Sequence, residues 1–144
     1  MIAITLLFAL LACDSEGWEP IIQVDEGTSC LEAATADGTG TITVDANVCL
    51  SSSCSRNATA SCAATLDGTT ITVTSEFAWE EATGETLDCT ADCGMLAASC
   101  DVGPLAAGSY LIVHGAESTT VEVPTTGACA EGPRRGGLTL SLIT

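Results

Sequence analysis

Nine cysteines in 144 residues constrain this chain more than any other feature, because a covalent cross-link decides which segments lie together before packing is considered. Eight of them, Cys30, Cys49, Cys54, Cys62, Cys89, Cys93, Cys100 and Cys129, run through the body of the sequence. The ninth, Cys13, stands apart behind an apolar N-terminal segment. An even set of eight suits four disulfides in an oxidising compartment. The rival is metal, since Cys89-x3-Cys93 has the spacing of a zinc clasp, but no paired Cys-x2-Cys knuckles accompany it and exported thiols oxidise. The expectation is four disulfides of open connectivity, with no bound metal and no cofactor. Cross-links worth roughly 2–4 kcal/mol each also answer a second constraint. Aromatic residues make up 3% of the chain, so the core must be built from small aliphatic side chains that bury limited area.

Alternation of period two dominates the sequence between the cysteines. Thr35-Ala36-Asp37-Gly38-Thr39-Gly40-Thr41-Ile42-Thr43-Val44 is echoed by Thr65-Leu66-Asp67-Gly68-Thr69-Thr70-Ile71-Thr72-Val73, and both read as β-hairpins. In the second, Asp67-Gly68 suits a two-residue type I′ turn, which sets Leu66 opposite Thr69, Ala64 opposite Ile71 and Cys62 opposite Val73. The apolar face then continues through Ser75, Phe77 and Trp79. In the first, a loop over 36–39 pairs Ala33 with Ile42 and Leu31 with Val44, and Ala46, Val48 and Leu50 continue inward. Two cysteine-bearing loops, Cys49–Asn57 and Glu80–Asp92, read as stapled connectors. Met95 to Val102 fits a short strand or one helical turn. A turn at 115–118, a strand Thr119–Val123 stopped by Pro124, a loop containing Cys129 and a final strand Leu138–Leu142 complete the chain. Such spacing argues an all-β sandwich of about eight or nine strands.

Leu105-Ala106-Ala107-Gly108-Ser109-Tyr110 resembles the tyrosine corner of immunoglobulin-like and fibronectin-like sandwiches, in which a strand-initial Tyr bonds nearby backbone through its hydroxyl. The resemblance implies a disulfide-stabilised, immunoglobulin-like β-sandwich.

Leu10-Leu11-Ala12-Cys13 resembles the lipobox of bacterial lipoproteins, with an aliphatic residue three before the cysteine and a small one just before it. Ile2 to Ala12 carries no charge and only Thr5 as a polar residue, matching an apolar signal region of about 7–15 residues and falling short of a membrane span. The n-region, Met1 alone, lacks the usual positive charge. The resemblance implies a signal peptide over 1–12, lipidation (diacylglyceryl and palmitate chains) at Cys13, a tether over 13–20 and one domain over 21–144. It places the protein at the cell membrane or outer membrane, lipid-anchored and facing periplasm or exterior. Asp14 stands where enterobacterial lipoproteins carry an inner-membrane retention signal. Trp18 suits either the membrane interface or the edge of the core.

The remaining residues exclude chemistry. Nineteen Asp and Glu against three Arg and no Lys give a formal net charge of −16, which repels nucleic acid. One histidine, His114, denies the chain a blue-copper site, which needs two; no Cys-x2-Cys-His, Gly-x-Ser-x-Gly or P-loop occurs. A Ser-His-Asp triad would have to use His114, which lies at a predicted strand end on the face of Tyr110 and Ile112. Its expected place is the sandwich rim, with a ring nitrogen bonded to backbone or water. The expected role is non-catalytic binding or envelope structure, with a small exported hydrolase or a metal-binding protein as the alternative. A protein or glycan partner would meet the loops 47–57, 80–95 and 124–137, with Trp79 and Arg134-Arg135 as the most eligible contacts.

Overall fold

A computed structural model describes residues 17–84 and 87–130. These hold the strands β1 (Gly17–Val24), β2 (Thr28–Leu31), β3 (Gly38–Asp45), β4 (Ser55–Asp67), β5 (Thr70–Thr83), β6 (Ala97–Leu105), β7 (Gly108–His114), β8 (Glu117–Val123) and β9 (Ala128–Ala130), with no helix among them. Two sheets form. One contains β1, β4, β5, β7 and β8, and the other runs in the order β6-β3-β2-β9.

Strand β5 organises the first sheet. Its alternation turns Ile71, Val73, Ser75, Phe77 and Trp79 inward, all buried, while Thr72, Thr74 and Glu76 face solvent. β4 covers one flank along nearly its whole length, from Asp67↔Thr70 to Ser55↔Glu81. The other flank is shared: β7 lies parallel to residues 70–73 and β1 antiparallel to residues 76–83. β1 and β7 therefore run head-on toward each other, and both must turn away beside Thr74 and Ser75. Gly115, directly after β7, has φ 57° and comes so near Asp25, directly after β1, that a Cβ there would collide with the Asp25 carbonyl oxygen. Only glycine fits this junction.

The inward faces of both sheets meet in one core, Ile71, Val73, Phe77, Tyr110, Ile112 and Val121 from the first and Leu31, Ile42, Val44, Val102 and Leu105 from the second. The architecture is thus all-β and sandwich-like. Four disulfides reinforce it. Cys62–Cys100 ties β4 to β6 across the two sheets, Cys30–Cys129 joins the paired strands β2 and β9, and Cys49–Cys93 and Cys54–Cys89 staple two loops together.

Both hairpins form, each with a register two residues from the expected one. Leu66 faces Ile71 and Ala64 faces Val73, so the turn residues are Gly68-Thr69 and not Asp67-Gly68. Only Gly68 of this turn has positive φ, 58°, as type II′ requires, where type I′ would force Thr69 into that region as well. Likewise Leu31 faces Ile42, and the connection spans 32–37, where Ala34 leaves the hairpin to bridge Thr125. A slip of two preserves the face of every side chain, which is why the core residues were legible although their partners were not. Residues 97–105 resolve as a strand. Cys129 lies in β9, not in a loop, because its backbone completes the ladder beside Cys30. Gly17 to Pro20, assigned to the tether by sequence, pair with Thr83 to Glu80 as the start of β1. The signal peptide, Cys13, Asp14, Arg134-Arg135 and the strand expected over 138–142 lie outside the described residues.

Candidate functional site

The head-on junction of β1 and β7 opens a cleft of about 270 Å3. Asp25, Glu26 and Gly27 in the β1–β2 turn line one side, Ala46 and Asn47 after β3 another, and Ala116 and Glu117 at the start of β8 a third, with Gln23 and His114 also in the wall. The turn is held by local polar bonds. Asn47, at φ 54°, donates its backbone N–H to Asp45 Oδ1 at 2.7 Å and its side-chain amide to Thr28 Oγ1 at 2.8 Å.

His114 is 3% exposed. Its Nε2 shares a 2.9 Å hydrogen bond with the Ser75 hydroxyl, so the partner of this ring nitrogen is a buried side chain where sequence suggests backbone or water. Burial pulls the imidazole below its ordinary pKa, and the nearby Asp25 carboxylate offsets part of that shift. Asp25 in turn clasps the backbone of Ser75: its Oδ1 accepts from Ser75 N at 2.9 Å and its own N–H donates to Ser75 O at 2.9 Å. Ser, His and Asp thus converge, but not as a catalytic relay, in which the carboxylate holds the second ring nitrogen and the hydroxyl reaches substrate. Here that carboxylate oxygen bonds the serine backbone, and Ser75 is itself 5% exposed. Sequence reading had placed Ser75 on the inward face without giving it a role; the signal was one polar residue in an otherwise apolar stripe.

At the other end of β1 a second cluster forms. The Arg56 guanidinium stacks 4.0 Å over the Trp18 ring and donates from Nε to Glu80 at 2.5 Å, while Asn57 Nδ2 donates to the same carboxylate oxygen at 2.9 Å. Led by the Arg56 hydrogen bond, these donors hold the Glu80 carboxyl below its usual pKa. Nearby, the loops expected over 47–57 and 80–95 prove shorter, since 55–57 belong to β4 and 80–83 to β5, and they come together through Cys49–Cys93, Cys54–Cys89 and a two-way backbone bridge between Leu50 and Gly94. Hydroxyls of Ser51, Ser52 and Ser53 all reach Thr90 Oγ1. Hydrogen bonds from the Thr90 hydroxyl and from Ser52 lower the pKa of Asp92. Of the third expected loop, 124–137, the described part is tied elsewhere, through Thr125 to Ala34 and through β9 to β2. Trp79 is no surface contact. As an inward residue of β5 it is 6% exposed, and the half-buried Trp18 is the aromatic residue at this surface.

Among the described residues no group of three or more His, Cys, Asp or Glu is placed to hold a metal ion. The chain shows no significant match to any protein-family model, curated protein or solved structure.

Proposed function

We propose that the protein is a lipid-anchored, extracytoplasmic bacterial lipoprotein whose single domain binds a protein or glycan without catalysing a reaction. The observation that carries this reading is the cysteine account. All eight cysteines from Cys30 to Cys129 pair with one another, which accords with an oxidising compartment and leaves Cys13 of the Leu10-Leu11-Ala12-Cys13 segment as the ninth. A thiol left over by that pairing, behind an uncharged apolar segment, is the residue a lipoprotein would modify. The kinship to immunoglobulin-like sandwiches rests on Tyr110, whose hydroxyl donates to the Ala106 carbonyl at 3.0 Å in the manner of a tyrosine corner. The non-catalytic reading is favoured by the burial of Ser75, 5% exposed, which is not among the residues lining the cleft that His114 borders.

Cys13→Ser tests the anchor. Lipid labelling should disappear, and the protein should remain an uncleaved precursor or leave the membrane fraction. Labelling and fractionation unchanged from the wild type would end the lipoprotein reading.

A further inference from the structure

The outward face of β1 carries an apolar row that the core does not use. Trp18, Pro20, Ile22 and Val24 alternate toward solvent, with Ile22 65% and Val24 56% exposed. Their partners on β5, Ala82, Glu80, Ala78 and Glu76, extend the face with two further small apolar residues. Exposed aliphatics on an edge strand of a chain with net charge −16 call for an occupant. β1 pairs with β5 alone among the described residues, so the row lies along an open margin of the sheet.

Covalent geometry supplies the occupant. Gly17, the first residue of β1, is four peptide units from Cys13, so their Cα atoms lie within about 15 Å whatever path the chain takes. From Trp18 to Val24 the row extends a further 20 Å or so, at about 3.3 Å per residue. A lipid on Cys13 therefore keeps this margin within reach of the headgroups. We propose that the outward face of β1 rests on the bilayer that holds the anchor, with Trp18, Pro20, Ile22 and Val24 at the interface.

The chemistry fits a shallow contact. Tryptophan suits the headgroup level, where its ring is half-solvated, and the Arg56 guanidinium stacked on it lies beside lipid phosphates. Pairing of Arg56 with Glu80 cancels a charge that would otherwise resist approach, while Glu76 beside Val24 limits depth at the far end. A protein this acidic gains no attraction from anionic lipid, so the contact depends on apolar area and on the anchor. The cleft at His114 and Asp25 opens beyond the far end of β1, away from the anchored end.

This inference rests on lipidation of Cys13 and specifies how the anchored domain lies. Its test uses the full-length lipidated protein in phosphatidylcholine vesicles whose acyl chains carry bromine near the headgroup. The chain has two tryptophans, and the buried Trp79 serves as the internal reference. Bromolipid should quench the wild type by about twofold more than Trp18→Phe, as expected for an indole at the interface, and Ile22→Ser/Val24→Ser should lose most of that difference. Equal quenching of wild type and Trp18→Phe in protein shown by mass spectrometry to carry lipid overturns the orientation while the lipoprotein reading stands. Protein without lipid on Cys13 removes both. A dimer in detergent that Ile22→Ser/Val24→Ser dissociates, together with absent quenching, assigns the face to a second copy instead.

Discussion

His114 and Ser75 are two of only three buried polar side chains among the described residues, the third being Ser29. Their bond matters because each would otherwise be an unsatisfied polar group in a small aliphatic core. Ser75→Ala leaves Nε2 unpaired in place, and a loss of about 1–3 kcal/mol is expected in denaturant titration, the range for a buried group stripped of its partner. The ring also makes stability depend on pH. Its folded pKa lies below the unfolded value of about 6.5, so in the window between them the unfolded chain binds a proton that the folded chain refuses. Stability then rises with pH through that window and is lost as pH falls from about 6.5 toward the folded pKa. His114 is the only histidine, the one side-chain type whose ordinary pKa falls in this range. Melting temperatures measured between about pH 7 and 5 should therefore flatten in His114→Gln; an unchanged slope would place the titrating group elsewhere.

At the scale of elements, the turns separate two uses of glycine. Gly68 has φ 58° but nothing within 4 Å of where a Cβ would stand, so Gly68→Ala should cost only the left-handed penalty, about 1–2 kcal/mol. Gly115 has nearly the same φ, 57°, yet a Cβ there strikes backbone of Asp25, which has no rotamer by which to withdraw. Gly115→Ala should therefore destabilise by clearly more than Gly68→Ala and disturb the cleft, visible as shifts of the His114 ring resonances. Equal costs would show that the β1–β7 junction yields more readily than its close backbone approach implies.

For the whole molecule, the cross-links are unequal because they are nested. Cys54–Cys89 lies inside Cys49–Cys93, so in the unfolded chain the outer bridge already limits it to a path of roughly ten residues. Cys30–Cys129 spans a sequence separation of 99 and still closes a path of roughly fifty-five residues when the others are intact. Chain-entropy scaling then gives about 3 kcal/mol for the first and about 4 kcal/mol for the second. The double variant Cys30→Ser/Cys129→Ser should melt below Cys54→Ser/Cys89→Ser, and the reverse order by calorimetry would show that native-state packing, not loop closure, ranks the bridges. The same cross-links let a core with few aromatics carry an exposed apolar margin on β1 without relying on that margin for stability.

What the sequence by itself determined is the local part: which residues face inward along Ile71, Val73, Phe77 and Ile112, that hairpins form in the two segments bearing Asp-Gly, that Tyr110 lies near the start of a strand, and that the cysteines after Cys13 form an even set. These follow from a period of two, from turn chemistry and from parity, each contained in a few neighbouring residues or a simple count. The tertiary structure decided the rest. Register slipped by two in both hairpins because the alternation is blind to even shifts and the ladder partners are not. Trp79 went into the core and Trp18 to the surface because strand parity outweighs closeness to a loop. The pairing of eight cysteines follows from which strands and loops the two sheets bring together, and the clasp of Asp25 on Ser75 and the cleft at His114 follow from β1 and β7 meeting head-on along one flank of β5. That meeting joins segments almost ninety residues apart; its free energy lies in contacts between them, which no local pattern in either strand records.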